Sequence, residues 1–316
     1  MPETTAPGEQ IRGAATELAA LRGRPTLMLA AEEIGRPDLL TVAEAVRAIE
    51  GDSLDIVLFG HGGDIHSAYA IGREIRRRFS NVAIFVPLCA KSAATMICLI
   101  ADDLVIGPLG ELGPLDAQFD RKGRDFARST SELTTFRAFE QLQAITLDFF
   151  DDAVGRIVTK SGMTPFDAAG KAAELTAGVF GHVYGQMDPI RVANAARALE
   201  VASAYSDRLL AWAGPTTEPN QRQQLLHRLV HSYPSHGFAL DFDELAALGA
   251  PVRRPVDGEV DVMDRLAHLI LPVESTIKLI EPVSAGPVGE PCAEFHDRQP
   301  RAEQPVAGCG DGNAAS

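Results

Sequence analysis

Ser92 stands in KSAAT, where the apolar run VAIFVPL (82–88) gives way to a second apolar run, and the glycine turn GHGGD (60–64) follows LDIVLF (54–59). Acyl transfer requires an oxygen nucleophile and N–H donors placed where an oxyanion develops. Gly62 and Gly63 would let backbone amides approach a substrate closely, and a helix starting at Ser92 would turn the positive end of its dipole toward the hydroxyl. The same residues have a plainer reading, in which Gly62 and Gly63 only form a turn, Ser92 caps a helix and Ala93 and Ala94 allow tight packing. On these residues alone the plainer reading takes precedence.

A serine nucleophile also needs a base and a group to orient that base. The chain carries His61, His66, His182, His227, His231, His236, His268 and His296. His227 and His231 are four apart in a helix-like run and share a face, but the metalloprotease glutamate is missing between them and no third ligand is evident. Surface histidines are the better account there. His61 and His66 flank the glycine turn and are possible substrate contacts. His236, in YPSHGF, falls in a loop just before FALDFDELAALGAPV, and Asp116, in LGPLDAQF, in one just after the run LVIG; an ordinary loop histidine and loop aspartate remain open.

The elements that must position these residues alternate at short spacing. TLMLAA from Thr26, LDIVLF, VAIFVPL and LVIG (104–107) read as strands, and the continuous apolar runs suit strands buried on both faces. Between them, 39–50 and 65–79 have helical apolar periodicity, the second with Arg on its opposite face. This alternation predicts an α/β fold with a parallel sheet. In such a sheet the loops at the carboxyl ends of strands converge on one crevice, which brings the GHGGD and KSAAT turns together.

Residues 131–230 read as mainly helical, and FALDFDELAALGAPV (238–252) as a late strand and helix, with Asp241 and Glu244 at capping-box spacing and Gly249 as a C-cap. A further helix is expected over 261–271. Residues 1–12 and 281–316 are expected to be disordered tails, the latter rich in Pro, Gly and Ala, leaving 13–280 as one domain.

Composition narrows the function classes. With 46% hydrophobic and 23% charged residues, the chain is of the ordinary soluble kind. A net charge of -14 argues against nucleic-acid or anionic-membrane binding, which relies on clusters of Lys and Arg. MPETTAPGEQ lacks the pattern of a secretory signal, and the most apolar stretch, 93–106, is interrupted by Asp102 and Asp103 and too short to span a bilayer. Cys89, Cys98, Cys292 and Cys309 have no metal-ligand spacing, and no disulfide framework is expected. A cytoplasmic location is the expectation.

The succession LDIVLFGHGGDIHSAYAIGREIRRR, VAIFVPLCAKSAATMICLIADDLVIGPLGELGPLDAQF and YPSHGFALDFDELAALGAPV resembles the serine dehydrogenase proteinase family, distant relatives of Clp peptidase and signal peptide peptidase A. The resemblance is strongest over 56–119, about a fifth of the chain, and weaker over 24–49 and 233–252. It implies a Clp peptidase/crotonase-like fold of stacked parallel β-α-β units with an inserted helical region. It also implies that Ser92 is the nucleophile, that the amides of Gly63 (or Gly62) and Ala93 form the oxyanion hole, and that a Ser-Asp-His triad places Asp116 and His236 with Ser92. Relatives often have Ser-Ala-Gly or Ser-Gly-Gly at the elbow, whereas this chain has Ser92-Ala93-Ala94, whose methyl groups narrow the approach.

Signal peptide peptidases use a Ser-Lys dyad, which makes Lys160, or else Lys171, an alternative base if buried. Lys91 is expected to point away from Ser92, since adjacent helical residues diverge by about 100°. The resemblance further implies a serine endopeptidase without metal or nucleotide cofactor, acting on peptides or unfolded chains and assembled as a trimer or larger ring, with 131–230 as interface or lid. A partner ATPase and a membrane are not required by it. Two other classes stay beside this one: an idle crotonase-like scaffold that binds peptides or partners through the same crevice, and acyl-coenzyme A chemistry. Asp64 after the glycine turn and the lack of a basic set for cofactor phosphates weigh against the last.

Overall fold

Strand formation here follows from apolar runs long enough to be buried on both faces. In the structure, a computed structural model that describes residues 6–115, 132–212, 219–233, 235 and 237–283, these runs assemble one mixed, mostly parallel sheet. Its strands are β1 (Thr26–Ala31), β2 (Ser53–Phe59), β3 (Asn81–Val86), β5 (Asp103–Ile106), β7 (Val252–Arg253) and β8 (Lys278–Val283), in the order β7-β5-β3-β2-β1-β8. Two short strands, β4 (Cys89–Ala90) and β6 (Glu111–Leu112), pair with each other apart from it. All neighbouring strands of the main sheet are parallel except β8, which runs antiparallel to β1.

The period of two along each strand sorts the core into two layers. Leu27, Leu29, Ile56, Leu58, Ile84 and Val86 face helices α2 (Arg36–Ala48), α3 (Ile65–Arg78) and α4 (Ala93–Cys98). Met28, Ala30, Val57, Phe59, Ala83 and Phe85 face α1 (Pro7–Arg22) and α10 (Glu259–Ile270) on the other side. Between α4 and α10 the chain forms α5 (Glu132–Ser161), α6 (Pro165–Tyr184), α7 (Pro189–Leu210), α8 (Pro219–His231) and the short α9 (Phe242–Ala247). The inserted helices join the first layer through α7 and α8, whose Leu199, Ala202, Leu209, Leu225 and Leu229 are buried there. Tyr205 of α7 stacks on Tyr69 of α3 at 4.2 Å between centroids and meets His66 Nδ1 at 3.0 Å.

Several expectations change. Helix α1 begins at Pro7, inside the stretch read as a disordered tail. Ile11, Ala14, Ala15, Leu18 and Ala19 form a buried stripe at helical spacing, and proline is well placed at the first helical turn. At the other end, residues 281–283 belong to β8, an edge strand, where Pro282 is tolerated because the lost N–H would face no partner on the open side. Residues 284–316 lie outside the described residues. The late unit returns to the sheet as expected, but through β7, after the helix: the stretch before α9 contributes only a bridge between Leu240 and Leu112. No helix among the described residues is long and apolar enough to cross a membrane.

At the amino ends of the strands, opposite the glycine turn, lies an ion-pair network. Asp55 of β2, fully buried, meets Arg22 Nε at 2.8 Å and lies 3.1 Å from Arg24 Nε, a charge contact without hydrogen-bond geometry. Glu259 of α10 joins Arg253 and Arg22, and Arg253 Nε reaches Asp103 Oδ2 at 2.8 Å. Arg22 and Arg253 both lie over the Phe85 ring, so the cluster links α1, β2, β5, β7 and α10 under the sheet.

Candidate active site

The GHGGD and KSAAT turns meet because the chain leaving β2 pairs with β4. Gly60 N–H donates to Cys89 O at 3.1 Å, and Lys91 N–H donates to Gly60 O at 2.9 Å, giving a parallel bridge between Gly60 and Ala90. Both turns lie beyond the carboxyl ends of neighbouring strands, as an open parallel sheet requires.

Beyond the bridge, Gly62 and Gly63 hold φ of 130° and 124°, a region that L residues rarely enter. Gly62 abuts the serine turn: a Cβ built on it would lie 3.1 Å from Ser92 Cβ and 3.5 Å from Ser92 Oγ. Gly63 is packed on Ile34, with hydrogen bonds from Ile34 N–H to Gly62 O and from Asp64 N–H to Ile34 O, both 2.8 Å. Among the described residues, the N–H groups of Gly62, Gly63 and Ala93 donate to no backbone acceptor outside regular elements. These are the donors an oxyanion site would draw on.

Ser92 occupies the N-cap position of α4 with φ 49° and ψ -112°, and among the described residues it is the one non-glycine residue with positive φ. Its side chain makes no cap hydrogen bond, so helix capping does not explain it. The turn is over-determined by its neighbours: Ala94 N–H donates to Lys91 O at 2.9 Å and Met96 N–H to Ser92 O at 3.0 Å. Strain of this kind costs on the order of 1–3 kcal/mol and concentrates at functional sites. Glycine at position 92 should therefore give a protein more stable by about 1–3 kcal/mol than alanine at the same position, which retains the strain. Urea unfolding of the two variants measures the difference, and equal midpoints would count against stored strain.

Around the serine turn the chain is tied by buried polar contacts. The Thr95 hydroxyl, fully buried, lies 2.7 Å from Ala90 O and 2.9 Å from Gly113 O, and accepts from Gly113 N–H at 3.2 Å. Lys91 is also buried; its ammonium meets Glu111 Oε1 at 2.5 Å, Leu112 O at 3.2 Å and Phe238 O at 3.4 Å. The partners of the ammonium thus come from β6 and from the stretch before α9, and since Lys91 itself precedes α4, the divergence of adjacent helical residues is not what orients it.

Asp64 caps α3, accepting from the His66 and Ser67 N–H groups and from the Ser67 hydroxyl. Burial opposes the charge, but those hydrogen bonds outweigh it and hold the carboxyl below its ordinary value. A depressed folded-state pKa contributes stability above the unfolded value of about 3.9 that is lost as pH falls through the folded value. Asp64→Ala should cost about 1 kcal/mol at neutral pH, and the gap to wild type in urea unfolding should narrow below about pH 4.

The other sequence candidates are placed as follows. Asp116 and His236 lie outside the described residues, as do Asp116's neighbours up to residue 131. Lys160 is exposed at the end of α5, and Lys171 is exposed and paired with Glu174 at 3.0 Å, so neither has the burial that a lysine base needs. His61, beside Gly62, lies 3.6 Å from Glu274 and 3.8 Å from the Cys89 sulfur, while His66 is taken up by Tyr205. Burial pushes the Cys89 thiol up to about 12, which makes it a small hydrophobe beside the site and not a competing nucleophile. His227 and His231 are ring neighbours in α8 at 5.1 Å. The Lys91 cluster escaped the sequence reading because its partners are about 20 and 147 residues away along the chain and leave no local pattern.

No protein-family model matches the chain, and no curated protein matches it. Among solved structures it is similar to a mutant of a protein described as the 1510-N membrane-bound stomatin-specific protease, with 16% identity over 46% of this chain and 68% of that one. The TM-score is 0.28, too low for the likeness to carry an argument about fold or chemistry.

Proposed function

We propose that this chain is a serine hydrolase that cleaves peptide bonds, with Ser92 as nucleophile. The observation that supports this best is the conformation of Ser92 itself: a strained, non-capping serine at a strand-to-helix turn, against a glycine turn at positive φ. In the proposed reaction Ser92 Oγ attacks the peptide carbonyl, the amine leaves with a proton from the general acid, and a water deprotonated by the same base hydrolyses the acyl-enzyme. The amides of Ala93 and of Gly62 or Gly63 would receive the oxyanion. His236 as base and Asp116 as its orienter rest on the motif resemblance, as does a Clp peptidase/crotonase-like fold. A soluble, cytoplasmic homo-oligomer acting on peptides or unfolded chains, with no cofactor, completes the proposal.

Ser92 is only 5% exposed, and this burial favours a second reading, a crotonase-like scaffold that binds peptides or partners without turnover. A fluorophosphonate probe separates the two. Wild type should be labelled covalently, detected as a single adduct by intact mass, and Ser92→Ala should not be labelled. Absence of labelling in folded wild type, or equal labelling of the variant, would leave the scaffold reading.

A further inference from the structure

Lys91 is a nearly buried ammonium whose three N–H donors have three acceptors, Glu111 Oε1, Leu112 O and Phe238 O, all from segments distant in sequence. Burying an ammonium is costly unless it is paired and hydrogen-bonded, and removing these acceptors or the charge would leave polar groups unsatisfied on both sides. The surroundings are shaped around its stem: a Cβ on Gly113 would come within 2.6 Å of Lys91 Cδ and 3.2 Å of its Cα and Cβ. Leu112 and Leu240 exchange backbone hydrogen bonds of 2.9 and 3.0 Å, so β6 and the stretch before α9, the two segments that Lys91 grips, are themselves bridged. Lys91 N–H and C=O are both engaged as well, with Gly60 O and Ala94 N–H. The residue next to the strained Ser92 is thus anchored through backbone and side chain together.

Resting on the hydrolase reading, we propose that Lys91 is a positioning residue for acyl transfer: through Glu111, Leu112 and Phe238 it locks the serine turn in its reactive conformation. The interaction is ionic at Glu111 and directional at the two carbonyls. Methionine in its place keeps most of the stem and removes all three donors. Arginine restores charge and donors, with geometry altered enough to recover only part of the function.

The test compares wild type, Lys91→Met and Lys91→Arg as full chains, by amide hydrogen exchange and by the second-order rate of fluorophosphonate labelling. In Lys91→Met, exchange of peptides covering 111–113 and 238–240 should rise at least tenfold while the strands β1 to β3 keep their protection. Labelling should slow at least tenfold, and Lys91→Arg should recover part of that rate. Unchanged exchange would overturn the clamp, and raised exchange with labelling at the wild-type rate would overturn its positioning role. A fall in labelling that only tracks global loss of protection would also overturn it. Failure of the underlying hydrolase reading looks different: folded wild type then reacts with no probe, whatever the exchange of the variants.

Discussion

Alanine at position 63 is expected to lower stability by about 3–6 kcal/mol, enough to shift the melting temperature by some 10–20 °C or to prevent recovery of folded protein. Two costs add. An L residue at φ 124° is strained wherever it sits, and here the new Cβ would also overlap Ile34 O and lie 2.6 Å from Ile34 N and 2.9 Å from Ile34 C. All three contacts are to backbone, which has no rotamer by which to escape. Relieving the clash means pulling apart the Ile34 and Gly62–Asp64 segments and losing hydrogen bonds of 2.8 Å on either side, each worth about 1 kcal/mol net. Against a total stability of about 5–15 kcal/mol, this is a large fraction. Gly23→Ala is the matched control: φ is 60°, but nothing lies within 4 Å, so only the conformational cost of about 1 kcal/mol applies. Thermal unfolding of the two variants beside wild type checks both numbers, and a Gly63→Ala midpoint within about two or three degrees of Gly23→Ala would refute the close packing on Ile34.

What the sequence made legible follows from how locally each feature is encoded. Strands β1, β2, β3 and β5 were readable because unbroken apolar runs admit few alternatives to a strand buried on both faces. The meeting of the glycine and serine turns was readable too, since topology sends adjacent parallel strands to one crevice. Helix α1 was readable in principle, its apolar stripe being at helical spacing, but Pro7, Gly8 and the polar residues before them gave the first dozen residues the composition of a tail. Strand β8 was hidden by Pro282 and by having no alternation, because its neighbours Leu279 and Ile280, on opposite faces, each pack on one of the two core layers. The two-residue strands β4 and β6 carry no pattern at all; they exist because two segments about 20 residues apart meet in space, with Glu111 N–H donating to Leu88 O and Gly113 N–H to Ala90 O. The strain at Ser92 belongs to the same class. A serine before two alanines says nothing about φ until the elements on both sides are fixed.

The charges beneath the sheet supply the second large effect. Glu259→Gln is expected to cost about 2–4 kcal/mol at neutral pH, at the lower side of what breaking a buried ion pair costs, because its arginines keep some access to water. Glu259 is 3% exposed and receives Arg253 Nη1 at 2.6 Å, Arg253 Nη2 at 3.1 Å, Arg22 Nη1 at 3.3 Å and the Val256 N–H at 3.0 Å. The amide can accept on one atom only, so either Arg253 Nη1 and the Val256 N–H or Arg253 Nη2 and Arg22 Nη1 lose their acceptor, and the charge that pairs with both arginines is gone in either case. Burial works against the Glu259 charge, but the hydrogen bonds from Arg253 and Val256 prevail and hold its carboxyl below the ordinary value. Its contribution is therefore complete above the unfolded pKa of about 4.3 and is lost as pH falls through the lower folded value. Asp55 in the same cluster has the opposite sign: burial pushes its carboxyl up despite Arg22 and Arg24. That group destabilises as pH rises through the interval between its unfolded value of about 3.9 and its folded value, so it partly offsets Glu259 in acid. Urea unfolding of wild type and Glu259→Gln at neutral pH and near pH 3 should show the gap between them shrinking on acidification. A gap that stays constant, or that widens in acid, would mean that Glu259 stabilises the sheet by packing and not by its charge.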